Sequence, residues 1–276
     1  MDVVNELSKD LGTYNPDVFK WVTNILTTST LQTGLYIMGI IFILEIADMY
    51  EQANTANGGV MTVKMFQNLA FKFSFAGLMV SGSTIIMQFI LLISNGLTSL
   101  IGVNSGGALN ILTNILPKVV APPGTGIAGS VLAIITNPDK LILSMVLWVV
   151  GIVVQLVAYI LIWVILYLRF FEMYLLFVFS PIPMASFASK KYQNIGENYL
   201  KVFAAYAFQS SVILVVMGIY SIFAKTAITI EIPKNGILST GDGLTGFLAG
   251  IVYALVFLVT LVRTLSVSKR FFGVGM

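Results

Sequence analysis

Apolar residues run in long blocks along most of this 276-residue chain, with short polar or Gly/Pro-broken stretches between them. Blocks of 18 or more apolar residues are long enough to cross a hydrocarbon core as helices, so the pattern predicts an all-α polytopic membrane protein with about five to six transmembrane helices. The first span is expected from about Thr30 to Ala47 and the second from about Phe66 to Leu92. The third runs from Leu141 to Leu168, where 28 residues carry no charge. At 1.5 Å per residue that is about 42 Å of helix against a core of about 30 Å, so this span must tilt or project. A fourth follows from Phe170 to about Ala188, a fifth from about Val202 to Ala224, and a sixth from about Leu244 to Val262.

Polar punctuation divides the rest. Residues 1–29 form an N-terminal amphipathic segment in which Asn15-Pro16-Asp17 supplies a cap, a first-turn proline and an acidic first turn. Behind it Phe19, Val22, Ile25 and Leu26 share one helical face, and Trp21 suits the membrane interface. A membrane-surface helix that contacts a partner, or a plain lead-in to the first span, both fit this face. No basic n-region with a cleavage site is present, so a cleaved signal peptide is not expected. Residues 30–94 hold the first two spans and 95–140 a central Gly/Pro-rich loop with short helices. That loop is too apolar to be solvated and too punctuated by Gly-Gly, Pro-Pro-Gly and Asn-Pro to be an ordinary span. Irregular backbone at membrane depth survives only under cover of protein or beside water, which makes this stretch a candidate pore or assembly surface. Residues 141–262 hold spans three to six, with a tight hairpin expected around Arg169. A kink or break is expected at Pro181 and Pro183, which lack backbone donors. Residues 263–276 are a basic C-terminal tail.

Composition narrows the chemistry. Hydrophobic residues make up 57% and charged residues 10%, with a mean hydropathy of +0.93, which excludes an ordinary soluble domain. Cys and His are both absent, which removes thiol nucleophiles, disulfides, thiolate or imidazole metal sites and histidine acid–base chemistry. Neither an enzyme nor a cofactor is expected. The formal charge of +3 is too small for a nucleic-acid-binding surface. With six spans, one side of the membrane holds ten Lys/Arg and the other five, so both termini are expected in the cytoplasm.

Ionisable residues in or near spans are site candidates because hydrocarbon penalises them: Glu45, Asp48, Lys72, Arg169 and Glu172, with Lys118 in the central loop. Glu45 with Lys72, or Arg169 with Glu172, would make polar pairs at a channel mouth; the alternative is that each snorkels to the headgroups. Gln88, Gln155 and Gln209 lie inside spans and suit interhelical hydrogen bonds or a wet lumen. Gly77 and Gly82, with the Gly246–Gly250 pair spaced as GxxxG, would let helices approach closely.

The stretch Arg169-Phe170-Phe171-Glu172-Met173-Tyr174, then Ser180-Pro181-Ile182-Pro183, Asn198-Tyr199-Leu200, Phe208-Gln209 and Tyr220 resembles a known family. It is similar to the TrbL-like polytopic inner-membrane subunit of conjugative type IV secretion systems, the counterpart of the sixth VirB product, in its Gram-positive form. The resemblance is most specific over about residues 140–225. It implies a channel subunit in the bacterial cell membrane that helps to move single-stranded DNA and attached protein. It also implies a homo-oligomer, a pentameric ring, beside the ATPase of the fourth-VirB-product type, the coupling ATPase and other inner-membrane subunits. Membrane lipid and, transiently, single-stranded DNA are the remaining expected partners. A small-solute permease and a non-conducting scaffold that anchors secretion ATPases are the competing readings of so apolar a chain.

Overall fold

The computed structural model describes residues 6–7, 9–57, 62–104, 138–228 and 242–274, and among these every regular element is helical. In chain order they are α1 (Leu11–Tyr14), α2 (Pro16–Ile25), a π-helical turn (Leu26–Thr30), α3 (Leu31–Asn57), α4 (Val63–Ser81), α5 (Ser83–Asn104), α6 (Pro138–Phe179), α7 (Pro181–Met184), a 3-10 turn (Ala185–Ala188), α8 (Gln193–Ile228) and α9 (Asp242–Phe271). Among the described residues four helical segments are long and apolar enough to cross a membrane: Pro16–Thr55, Ser83–Val103, Ile160–Phe179 and Gln193–Phe223. The chain is an all-α polytopic membrane protein. Most of the central loop, with Lys118, lies outside the described residues, as do many side chains of α9, the site of the expected sixth span.

Several boundaries differ from the sequence reading, each for a local reason. The N-terminal segment does not lie apart from the first span, because α2 passes through the π-turn straight into α3. Thr27, Thr28, Thr30 and Thr33 turn their hydroxyls back onto carbonyls of the preceding turn at 2.7–3.1 Å, and back-bonding of this kind bends and widens helices. Ahead of α2, the Asn15 Oδ1 accepts from the Val18 amide at 3.1 Å, and Pro16 occupies the first turn. The second expected span is two helices, since the chain bends at Gly82 and α5 runs on to Asn104, well into the stretch read as loop.

The expected hairpin around Arg169 does not form. α6 continues through it for 42 residues, about 63 Å, because Leu168-Arg169-Phe170 contains no helix breaker and carbonyls of α8 receive the guanidinium. Expected spans three and four are therefore one helix. α6 ends instead at Phe179, where Pro181 and Pro183 withhold backbone donors and open the short α7. Between the expected fourth and fifth spans only residues 189–192 lie outside regular helix, because α8 begins at Gln193, and α9 carries Arg263, Lys269 and Arg270 of the tail to its end.

The chain divides into two compact units. The first comprises residues 1–98, 168–210 and 265–276, and the second residues 99–167 and 211–264. The second unit buries Leu166, Leu214, Met217, Phe257 and Leu261, and Tyr220 stacks on Phe257 with ring centroids 4.2 Å apart. In the first unit α3 and α4 pack as a hairpin around α7 and the 3-10 turn. Its N-terminal residues are docked rather than free: Leu7 and Leu11 are buried, Tyr14 stacks on Phe170 at 3.6 Å, and the Tyr174 hydroxyl donates to the Leu11 carbonyl at 2.6 Å.

The first span and the proline break approach closely backbone to backbone in this unit. Thr30 Oγ1 donates to the Val178 carbonyl at 2.7 Å, and one turn later a Cβ on Gly34 would lie 2.7 Å from the Pro181 carbonyl oxygen and 2.9 Å from its carbon. Both obstacles are backbone, so Gly34→Ala should lower stability by about 1–3 kcal/mol through overpacking. Gly77 is the control, since a Cβ added there would meet nothing within 4 Å: Gly77→Ala should raise stability by up to about 1 kcal/mol through helix propensity. Equilibrium unfolding of both variants in mixed micelles checks the pair.

Candidate functional site

Two polar clusters inside the first unit interrupt an otherwise apolar interior. In the first, α3 presents Glu45 on the same helical face as Phe42 and Met49, and α4 presents Lys72 one turn beyond Leu69. Antiparallel packing of α3 on α4 joins the two in an ion pair. Ser189 and Lys190, which follow the 3-10 turn packed on α3 and α4, lie nearby. Glu45 is only 8% exposed. Asp48, one turn from Glu45 on α3, is half-buried and forms no ion pair among the described residues.

The second cluster is built around Arg169, midway along the Ile160–Phe179 span and 1% exposed. Its Nε donates to the Tyr206 carbonyl and its Nη2 to the Ala207 carbonyl, both at 3.3 Å, and its guanidinium carbon lies 5.1 Å from the Phe170 ring centre. Nη1 has no hydrogen-bond partner, and no carboxylate lies within ion-pair distance of Arg169 among the described residues. Glu172 does not pair with it. Its side chain lies instead near Tyr206 and Lys269, whose ammonium sits 5.1 Å over the Tyr206 ring.

Small hydroxyl residues complete this cluster. Ser94 Oγ donates to the Ala207 carbonyl at 2.6 Å, Ser268 Oγ to the Ala205 carbonyl at 2.6 Å, and the Thr98 and Ser210 hydroxyls share a hydrogen bond of 2.8 Å. Three consecutive carbonyls of α8, at residues 205–207, therefore each take an extra donor from α5, α6 or α9. A helical carbonyl has a second lone pair free for such a bond, and in hydrocarbon the donors would otherwise go unsatisfied. Ser94→Ala should lower stability by about 0.6–2 kcal/mol, read as the unfolding midpoint in detergent.

Other expected positions fall elsewhere. Gln209 is buried beside the Arg169 cluster, whereas Gln88 is exposed on α5. The Gln155 side chain and the surroundings of Gly246 and Gly250 lie outside the described residues. Gly77 makes no close approach within the chain, and Gly82 serves the bend, where its amide donates to the Leu78 carbonyl at 2.8 Å. The close-approach glycines are Gly34 and Gly196; a Cβ on the latter would meet the Phe187 ring at 2.5 Å. Neither stands in a small-xxx-small pair of glycines, so a pattern search passes over both. The Ser94, Thr98, Ser210 and Ser268 hydroxyls escape sequence reasoning for a similar reason, since isolated Ser and Thr in apolar helices mostly bond their own preceding turn.

No group of three or more acidic side chains is placed to hold a metal ion among the described residues. What the two clusters provide is a fixed buried charge and a tied helix junction, which are devices for holding membrane helices in one arrangement. Compared with known protein families, characterised proteins and solved structures, the chain shows no match.

Proposed function

We propose that this chain is a membrane subunit of the DNA-translocation channel of a conjugative type IV secretion machine. It works in the bacterial cell membrane as a homo-oligomeric ring, with the secretion ATPases as its neighbours and single-stranded DNA as its transient cargo. The observation that carries the reading is where the family-like residues lie. Arg169, Phe170, Met173, Tyr174, Ser180, Pro181 and Gln209 are all buried in the first unit, and the Tyr199 hydroxyl donates to the Leu176 carbonyl there. Much of the resemblance thus lies in the frame of the fold and on an intramembrane charge, although Phe171 and Asn198 of the same motifs are exposed. That suits an assembly component, whose task is to hold a passage in shape.

The outward face of α5 agrees with assembly. Ile85, Phe89, Leu92, Leu100 and Val103 are exposed along it, and Gln88 sits among them, an amide that hydrocarbon would leave unsatisfied. The mass of the protein extracted into nanodiscs, with lipid subtracted, tests the proposal. A closed ring of several copies is expected. A 30.0 kDa monomer that carries solute into liposomes would replace it with the permease reading.

A further inference from the structure

The outward surface of α5 divides into two sectors. With about 100° of turn per residue, Thr84, Gln88, Asn95 and Ser99 fall within about 60° of arc, and Ile85, Phe89, Leu92, Ile93, Leu97 and Leu100 fill about 140° beside them. Gln88 and Ser99 are exposed, while Thr84 and Asn95 are half-buried at the inner edge of the polar sector. None of these four side chains makes a hydrogen bond among the described residues, and the Asn95 Oδ1 is without a partner. The face turned into the protein is separate again: Met87, Leu91, Ser94 and Thr98 are buried there, with Ser94 and Thr98 bonded to α8.

Depth in the span makes the polar stripe costly. The apolar segment runs from Ser83 to Val103, which puts Asn95 near its middle and Gln88 more than a turn inside. Short amide side chains do not reach the headgroups from there, and hydrocarbon penalises an amide left unbonded. Two other spans show the contrast. From Ile160 to Phe179 α6 contains no amide and no aliphatic hydroxyl, and over residues 202–223 of α8 the polar Gln209, Ser210, Ser211 and Ser221 are all buried. Those outward faces match lipid, whereas α5 shows the outside two different surfaces.

We infer that the Thr84, Gln88, Asn95 and Ser99 stripe faces water and lines the aqueous passage enclosed by the assembled copies, one α5 from each, with the apolar sector turned to lipid and neighbouring helices. The inference rests on the ring reading for what encloses the water. Segregation is the ground for it, since a helix surrounded by lipid gains nothing by gathering its polar groups on one side. The stripe is made of uncharged donors and acceptors, which hydrate a wall and leave passing phosphates without strong contacts.

Cysteine substitution tests this in a chain that has no cysteine of its own. Gln88→Cys, Asn95→Cys and Ser99→Cys, with Ile93→Cys and Leu97→Cys for the apolar sector, are each treated in open membrane fragments with a charged, membrane-impermeant methanethiosulfonate. Labelling is read as a mass shift of the purified chain. The thiolate is the reacting form and apolar surroundings raise the thiol pKa, so the stripe positions should label at least about tenfold faster, the effect of one pKa unit. Should Gln88→Cys fail to accumulate, the nearly isosteric Ser99→Cys carries the test. Equal rates in the two sectors, or no labelling of the stripe, would overturn the inference. So would near-complete disulfide formation between Gln88→Cys copies with the reduced thiol unlabelled, which would make the stripe a packed contact. Because the pattern is read on the chain itself, labelling confined to the stripe supports the passage even where deleting the gene leaves DNA transfer intact, a result that would contradict the cargo alone.

Discussion

Lys72→Met is expected to lower stability by about 3–5 kcal/mol, the range for removing one partner of a buried ion pair. The pair itself is a weak source of stability, because bringing two charges out of water offsets most of their attraction. Removing only the ammonium is a different matter. It leaves the Glu45 carboxylate, 8% exposed between Phe42 and Met49, without its ion-pair partner. Removing both charges in Lys72→Met/Glu45→Leu should recover most of the loss, since the walls around the pair are already apolar. Equilibrium unfolding of the two variants in mixed micelles checks this. A single variant as stable as wild type would mean that Lys72 and Glu45 meet in water and not in the hairpin interior.

Arg169→Met should separate stability from function in the opposite sense. The guanidinium is buried with one nitrogen unpartnered and no counter-ion among the described residues, so its desolvation is compensated by no more than two long bonds to carbonyls that already serve the α8 backbone and the Phe170 ring face. A thioether of similar length fills the space without that penalty, and the variant should unfold at the same midpoint as wild type or above it. DNA transfer by cells carrying it should nevertheless fall about 100-fold, the equivalent of about 2.7 kcal/mol in the limiting step. Arg169→Lys should restore little, because a single ammonium cannot address the Tyr206 and Ala207 carbonyls together as the planar fork does. A variant that neither loses transfer nor changes stability would make Arg169 a passenger.

The helical class and the existence of spans are legible in the sequence because hydropathy summed over a window survives errors at single positions. What fails are boundaries set by one residue. Arg169 reads as a turn only if a charge must leave the membrane, and here α6 carries it through because α8 offers carbonyls to receive it. Pro181 and Pro183 are legible because a missing backbone donor is a covalent fact that no tertiary contact repairs. The Glu45 and Lys72 pair can be suggested from sequence, since opposite charges in adjacent spans seek each other, whereas the Arg169 and Glu172 pair cannot be judged there. Three residues apart on one helix, they are near enough to bond, and only the placement of Tyr206 and Lys269 on other helices draws Glu172 away. Gly34 shows the same limit: its role depends on the Pro181 carbonyl, far along the chain, which no local pattern contains.

The decisive measurement is the frequency of DNA transfer from cells in which the gene for this chain has been deleted, with and without the wild-type gene restored in trans. Loss of transfer on deletion and its recovery on complementation, with the ATPases still at the membrane, is the predicted result. Transfer at the wild-type frequency from the deletion strain would contradict a channel subunit outright.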